Sequence, residues 1–338
     1  MARSPLELTR TQILAFRRRV GALDERLPRG ARSLRQAAWA GLQDSMPRAA
    51  LLSIHARVEG TRPSTWEDPS LVQVWGPRFS VFVVPARDHA IFTLGRHPDD
   101  ARGRARAEDL AALMHGFLRG RRMTDRELGT GIRVGNRMRY ATTTGTFLIR
   151  WEGARAPVVW SVPPPEIDPL AARRELARRY LHVYGPTTVQ AFAKWAGIGA
   201  VEARVAFDSL SRSLLAVRTP IGEAWILARD ENALRDTPGP PAAARLLPSG
   251  DAFYLLQGAD RELLVPDARR RPELWTSRVW PGAVVVSGEI VGTWRRAQAK
   301  LTIDLWRRLS RAERDAVEAE AQSLPLPGIE GQIVVSWE

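Results

Sequence analysis

The chain of 338 residues carries a net charge of +13, is 44% hydrophobic and contains no cysteine, which excludes a disordered chain, disulfide bonds and zinc–thiolate sites. No stretch approaches the roughly 20 apolar residues that span a bilayer, and the first residues lack the apolar core of a signal peptide. We therefore expect a cytoplasmic protein without a membrane partner, whose positive charge favours a polyanion, because Lys and Arg displace condensed counterions from phosphates.

The first third of the chain alternates predicted helices with a predicted hairpin. Apolar residues recur at helical spacing over residues 8–20, 34–41 and 47–58. Two strand-like runs follow at 71–75 and 79–84, parted by Gly76-Pro77. Helices that precede a hairpin predict a winged-helix-like module over residues 1–103.

The same order of elements recurs twice more along the chain. Thr124 can cap a short helix that ends at a glycine turn, a helix is predicted over 136–145, and strands at 147–151 and 158–162 form a hairpin. Thr188 can cap another helix, Gly197 and Gly199 break it, and a second helix leads to strands at 215–218 and 224–228. This order is typical of a winged helix-turn-helix, whose second helix can enter a major groove. It predicts a second module over residues 104–165 and a third over 166–237.

Beyond the Pro-rich boundary at residues 238–241, the sequence becomes rich in strand-forming residues. Strands are predicted at 253–257, 262–265, 284–286, 290–294 and 333–337, with one helix at 311–323. Ser287-Gly288 provides a tight turn between the third and fourth of these strands. The predicted fold class is therefore α+β, with tandem winged helix-turn-helix modules followed by a small β-barrel-like domain over residues 238–338.

Positive charge is concentrated in two stretches. Residues 102–139 carry a local charge of +6, and residues 269–314 carry +7. Two basic stretches could flank one groove for a nucleic acid, but solvated helix faces give the same pattern. Both interpretations stay open on the sequence alone.

Most catalytic signatures are missing from the sequence. The five histidines are scattered without a second ligand at a metal-binding interval, and no glycine-rich phosphate loop or nucleophile elbow occurs. We therefore expect neither a metal site nor a cofactor. The twelve tryptophans could stack on bases, but core packing is the more common role for such residues.

Three sequence blocks decide the functional interpretation. The first is Gly41-Leu42-Gln43-Asp44-Ser45-Met46-Pro47-Arg48-Ala49-Ala50-Leu51-Leu52, followed by Ala56-Arg57-Val58. The second is Leu71-Val72-Gln73-Val74-Trp75-Gly76-Pro77-Arg78, and the third is the hairpin that ends in Val291-Gly292-Thr293-Trp294. Together they resemble the AlkZ-like winged-helix DNA glycosylases, in which a Gly-hydrophobic-Gln-X-Gln stretch leads into a Pro-X-Ala-Ala helix. The resemblance extends over nearly the whole chain.

This resemblance implies hydrolysis of the N-glycosidic bond of bulky, cross-linked or otherwise alkylated purines in double-stranded DNA, with two glutamines orienting the attacking water. Gln43 matches the first glutamine, but Ser45 occupies the second position and is too short to reach the same water. Either Ser45 acts through another water, or Asp44 turns inward as a general base or charge stabiliser, or catalysis is lost. The residues alone also fit a helix-capping junction.

A second departure lies after Arg78, where Phe79-Ser80-Val81-Phe82 replaces the Gly-Thr-Leu-His of relatives, so that no histidine can act at position 82. The candidate catalytic residues are thus Gln43, Asp44 and Ser45. The candidate DNA-binding residues are Arg48, Arg78, Arg133, Arg137, Arg139 and Arg204, and Arg78 either braces the site or contacts phosphate.

Two other functions remain open. A non-catalytic DNA-binding protein, such as a damage sensor or regulator, could keep the scaffold without the second glutamine. The other function is a winged-helix module for protein–protein contact, which would not explain the net charge of +13. In each case we expect a monomer, and for the DNA-binding functions we expect association with the nucleoid.

Overall fold

The computed structural model describes residues 6–46, 48–153, 155–236, 239, 241, 243–329 and 331–338. Within these residues, helices and three β-sheets form a mixed α+β fold, which confirms the predicted fold class at that level. No helix in these ranges is long and apolar enough to cross a membrane. The predicted helix start at Pro47 and part of the predicted Pro-rich boundary, Pro238 and Pro240, lie outside the described residues.

The elements of the N-terminal third are β1 (Leu6–Glu7), α1 (Arg10–Val20), α2 (Ala31–Ala37), β2 (Leu42–Gln43), α3 (Ala49–His55), β3 (Leu71–Trp75), β4 (Val81–Pro85) and α4 (His89–Thr93). They include the predicted helices and hairpin, with α2 displaced toward the N-terminus, and also β1, β2 and α4, which the sequence did not predict. Helix α1 begins at Thr9, whose side chain and that of Gln12 form a capping box. Strands β3 and β4 form the predicted antiparallel hairpin, and β2 pairs with β4 so that Gln43 lies opposite Phe82.

The next region begins with a long helix that the pattern analysis did not predict. Its elements are α5 (Ala101–Leu118), β5 (Met123–Thr124), α6 (Asp125–Gly131), a 3₁₀ helix (Gly135–Thr144), β6 (Phe147–Arg150) and β7 (Val158–Ser161). Thr124 caps α6 through a capping box with Glu127, as predicted. The predicted helix over 136–145 is present, but as a 3₁₀ helix.

A six-stranded sheet joins these two regions. Its order is β2-β4-β3-β6-β7-β5, and the junction between the regions is the antiparallel pair of Gln73 on β3 and Ile149 on β6. Strands β5 and β7 pair at the far edge of the sheet. The two regions therefore share one continuous backbone hydrogen-bond network.

The third region packs the aromatic residues of the core. Its elements are α7 (Pro169–Tyr184), α8 (Val189–Ala196), α9 (Ala200–Ser209), β8 (Leu214–Thr219), β9 (Gly222–Leu227) and α10 (Glu231–Arg235). Thr188 caps α8 and Gly197 ends it, as predicted. The rings of Tyr180, Tyr184 and Trp195 lie within 5.5 Å of each other, which confirms a core role for that tryptophan.

The C-terminal region departs most from the prediction. It contains β10 (Arg245–Leu247), α11 (Asp260–Leu264), α12 (Arg271–Leu274), β11 (Gly282–Val286), β12 (Glu289–Ala297), β13 (Lys300–Leu305), α13 (Arg311–Gln322) and β14 (Val334–Trp337). Its five strands form an open sheet in sequence order, so the predicted barrel-like closure is wrong for the described residues. The strands predicted at 253–257 and 262–265 are also wrong: the first run forms a turn and irregular backbone, and the second forms the end of α11 with Val265 as its C-cap. Short buried apolar runs do not distinguish a strand from a helical turn.

Candidate active site

Gln43 ends strand β2 and keeps a half-buried side chain. Its Oε1 accepts a hydrogen bond from Nη2 of Arg78 at 2.9 Å. Because a guanidinium only donates, this contact fixes which end of the amide faces Arg78. The opposite end lies against Gly250, where a Cβ would come within 3.1 Å of the Gln43 Nε2. Arg78 therefore orients the amide, and the absence of a side chain at Gly250 leaves room for its Nε2 end.

Arg78 reaches Gln43 from the loop between β3 and β4. Its backbone has a φ of 54°, and the next residue, Phe79, has a φ of 56°. Residues other than glycine rarely adopt this left-handed conformation. The other arm of the guanidinium, Nη1, donates to the carbonyl oxygen of Trp195 at 2.9 Å. Gly197 packs against the loop, since a Cβ there would lie 3.0 Å from the Arg78 Cα. The strained loop is thus fixed against the end of helix α8.

A second buried guanidinium lies beside the first. Arg96 donates to the carbonyl oxygens of Ala196 at 2.9 Å and Trp75 at 3.2 Å, and it covers the ring of Phe79. Burial, and then the nearby charge of Arg78, lower the pKa of Arg96. Burial also lowers the pKa of Arg78. Both guanidinium groups donate to carbonyl oxygens, and neither forms an ion pair with a carboxylate of the described residues.

Asp44 faces away from solvent and is only 2% exposed. Its carboxylate accepts hydrogen bonds from the backbone N–H of Ala50 at 3.0 Å and from Nε2 of Gln73 at 2.8 Å. Burial raises the pKa of Asp44 to about 6, against the lowering effect of these hydrogen bonds and of Arg48. Gln73 in turn accepts from the backbone N–H of Trp151 at 2.6 Å. This network connects the turn after β2 to the end of strand β6.

Ser45 is exposed next to this network. Nearby, the guanidinium groups of Arg48 and Arg150 each lie 3.6 Å from the ring centre of Trp66, a cation–π arrangement. Arg48 also donates to the carbonyl oxygen of Trp151 at 3.2 Å. Arg150 also pairs with Glu67 at 3.0 Å and Glu152 at 3.5 Å, so its charge is balanced by carboxylates of the protein.

The remaining candidate arginines are spread over two regions of the fold. Arg133 is exposed just before the 3₁₀ helix of the second region, and Arg137 is exposed within it. Arg204 is exposed on helix α9. Arg139 is half-buried, with its guanidinium 5.3 Å from the ring centre of Trp75. The structure therefore brings Arg78 directly to Gln43. It brings Arg139 to Trp75, whose carbonyl oxygen accepts a hydrogen bond from Arg96.

The sequence model of the AlkZ-like DNA glycosylases matches residues 36–325. The chain belongs to this family. An interstrand DNA cross-link repair glycosylase from Streptomyces sahachiroi is 29% identical over 161 residues, which cover 46% of this chain and 42% of that protein. The chain thus matches less than half the length of this curated relative.

The fold of this AlkZ-like protein also resembles a solved structure. The DNA glycosylase AlkZ of Streptomyces sahachiroi superimposes with a TM-score of 0.78 at 19% sequence identity, covering 98% of this chain and 100% of that chain. At this identity the similarity concerns the fold, which extends over both the central regions and the C-terminal sheet.

Three residues of the AlkZ-like site were missed by the sequence analysis. Gln73 donates to Asp44, and Arg96 covers the ring of Phe79 in the Arg78 loop. Gly250 lies against the side chain of Gln43. A signal existed for Gln73, since it is a polar residue within an otherwise apolar strand of a block that matches the family. Arg96 and Gly250 lie in segments without a motif, and only the tertiary fold brings them to the site.

Proposed function

We propose that this AlkZ-like protein is a DNA glycosylase that hydrolyses the N-glycosidic bond of alkylated purines in duplex DNA. The observation that supports this most directly is the fixed amide of Gln43, whose carbonyl oxygen is held by Arg78 at 2.9 Å. An oxygen with two lone pairs can accept from Arg78 and still accept one hydrogen from a water. Ser45, exposed two residues later, would assist with its hydroxyl.

The chemistry requires little from such a site. N7-alkylation makes the purine cationic, so the bond between C1′ and N9 breaks with its electron pair moving to the base, which departs neutral. A water oxygen then forms a bond to C1′ and releases a proton to solvent. The protein has to position this water and favour the positive charge that develops on the sugar. An uncharged amide with a fixed orientation can position the water.

We propose that Asp44 acts in the same site by holding the turn that carries Gln43 and Ser45. Both oxygens of its carboxylate accept hydrogen bonds, from Ala50 and Gln73, on the inner side of the turn. These contacts fix the backbone between Gln43 and Ser45. A role as general base would instead require the carboxylate to turn toward the water.

We further propose tandem winged helix-turn-helix modules as the scaffold, with the boundaries given by the sequence at 1–103, 104–165 and 166–237. In each region a short segment pairs with the last strand of the following hairpin: β2 with β4, β5 with β7, and Thr187 with Trp225 on β9. Helices lie between the short segment and the hairpin. This repeated order supports the proposal.

Duplex DNA is proposed to contact the exposed arginines. Arg133, Arg137 and Arg204 have side chains in solvent, while Arg48 and Arg139 are held over tryptophan rings beside the site. A guanidinium that is already positioned loses little conformational freedom when it binds a phosphate. The protein would act as a monomer on chromosomal DNA in the cytoplasm.

The proposal is tested by release of free base from a duplex that contains N7-methylguanine. We expect release by the wild type and about a hundredfold slower release by Gln43→Ala, the range seen when one positioning hydrogen bond is removed from an active site. Gln190→Ala, the same change at an exposed position on helix α8, is the matched control and should release base at the wild-type rate. Undiminished release by Gln43→Ala would remove Gln43 from the mechanism.

A non-catalytic DNA-binding protein is the second candidate, favoured by the short side chain of Ser45 where the family has a longer one. It predicts salt-dependent binding of duplex DNA without any base release by the wild type. Under this second function, only a variant such as Ser45→Gln could show activity.

A further inference from the structure

A cavity of about 660 Å³ lies between α1, α2, the end of α7 and the turn at 252–256. This volume is typical of sites for small molecules, which run from roughly 300 to 1,000 Å³. Gly41 and Arg57 of the first sequence block line it, and the side chains of Gln43, Asp44 and Ser45 do not. The cavity is therefore separate from the proposed catalytic turn.

The lining of the cavity is strongly basic. Its arginines are Arg17, Arg32, Arg35, Arg57, Arg87 and Arg229, and its carboxylate is Asp230. Asp230 is buried and pairs with His182 at 2.8 Å, and Arg57 is neutralised by Asp251 at 2.7 Å. Arg32 and Arg35 on helix α2 form no ion pair or hydrogen bond with the described residues. The cavity therefore has positive charge that the protein itself does not balance.

Arg17 adds a charge at a buried position. It is 3% exposed, and its Nε and Nη2 donate to the carbonyl oxygens of residues 184–186, whereas Nη1 has no hydrogen-bond partner among the described residues. Burial lowers the pKa of Arg17, and the Asp260 carboxylate acts in the opposite direction. Leaving a donor of a buried cation unsatisfied is unfavourable. A ligand that supplies an acceptor would remove this cost.

The walls of the cavity are apolar and aromatic. Leu23, Leu27, Phe253 and Leu256 line it together with the half-buried ring of Trp39. The edge-to-face contact between Trp39 and His182, with ring centres 5.4 Å apart, fixes both rings. Such walls favour a flat, apolar ring rather than a bare inorganic ion.

We infer that this cavity binds a nucleoside monophosphate, with the base against the apolar walls and the phosphate at the unpaired arginines of helix α2. The guanidinium fork matches phosphate oxygens, and the walls match a purine or pyrimidine ring. The phosphate could belong to a free nucleotide or to the 5′ end of a DNA strand. The inference does not depend on base excision, because it rests on residues outside the catalytic turn.

Isothermal titration calorimetry of the full chain with dGMP tests the inference. We expect saturable binding at one site, and at least about tenfold weaker binding by Arg32→Glu and Arg35→Glu, because each reverses a charge at the phosphate position. Arg212→Glu is the matched control, since it makes the same change at an exposed arginine outside the cavity. This control should bind dGMP like the wild type.

Two further titrations identify the source of the phosphate. Displacement of dGMP by a duplex with a 5′-phosphate, but not by the same duplex with a 5′-hydroxyl, supports a strand end as the occupant. Lack of displacement by either duplex supports a free nucleotide. Equal affinity for inorganic phosphate and dGMP, equal losses in all three arginine variants, or no dGMP binding would each overturn the inference.

Discussion

Arg78 donates from Nη2 to the Oε1 of Gln43 and from Nη1 to the carbonyl oxygen of Trp195, each at 2.9 Å. One planar group therefore fixes the Gln43 amide relative to helix α8. An ammonium group cannot reproduce this fork, so we expect Arg78→Lys to slow base release roughly tenfold or more while its charge is kept. Single-turnover release assays measure this, with thermal unfolding as the check on folding. Wild-type rates for Arg78→Lys would mean that charge alone suffices.

Ser45→Gln is expected to increase base release. The longer side chain brings a second amide to the exposed side of the turn, where the serine hydroxyl is too short to share a water with Gln43. The turn is exposed at this position, so stability should not change. Ser45→Asn is the control, because it adds an amide that is one methylene shorter. Equal rates for the two variants would contradict an effect of reach.

Gly250→Ala separates backbone strain from displacement of the amide. Gly250 has a φ of +73°, and a Cβ there would lie 3.1 Å from the Gln43 Nε2. Gly258 has a φ of +58° with nothing within 4 Å of its Cβ position. Both variants should lose about 1 to 2 kcal/mol of unfolding free energy, the cost of a left-handed alanine. Only Gly250→Ala should also slow base release; equal rates in the two variants would show that the contact is unimportant.

The buried carboxyl of Asp44 should make stability depend on pH. Its pKa is raised from 3.8 to about 6 in the folded state, so its contribution is fully present below pH 3.8 and is lost as the pH rises through about 6. Relative to Asp44→Asn, the wild-type unfolding free energy should fall by on the order of 2 to 3 kcal/mol across this window. Urea denaturation at several pH values measures it. A difference that increases with pH would show that the carboxylate is instead stabilised.

The exposed arginines of the second region should control the salt dependence of DNA binding. Arg133→Ala and Arg137→Ala should each weaken duplex binding and reduce the slope of log K against log salt by about 1, if each neutralises one phosphate. Arg62→Ala, at an exposed arginine outside both basic stretches, is the control. Fluorescence anisotropy at several salt concentrations gives the slopes. Unchanged slopes for Arg133→Ala and Arg137→Ala would place the DNA elsewhere.

Much of the fold followed from local patterns in the sequence. Capping residues such as Thr124 and Thr188 act within a few residues of their helices, and the strand at 71–75 carries β-branched residues bounded by turns. The run at 262–265 failed because Leu263 and Leu264 are buried in the same way in a helical turn as in a strand. Closure of a sheet depends on pairing between distant strands, which no local pattern specifies.

In the candidate site, too, residues within motifs could be predicted from the sequence, whereas contacts between distant segments could not. Gln43 and Arg78 could be named because motifs carry them, but their hydrogen bond joins residues 35 positions apart in the chain. Arg96 and Gly250 carried no signal, since the fold brings Arg96 to the ring of Phe79 and Gly250 to the side chain of Gln43. The inward position of Asp44 depends on Gln73, a residue of another strand.

The junction between β3 and β6 limits how this chain can be divided. A cut between residues 103 and 104 would remove β6 and turn β3 into an unprotected edge, because the backbone of Gln73 would lose its pairing with Ile149. Edges of this kind recruit other chains and aggregate. The first two regions therefore have to be inherited, expressed and engineered as one folding unit, and exchange of a single region between relatives would need a matching partner strand.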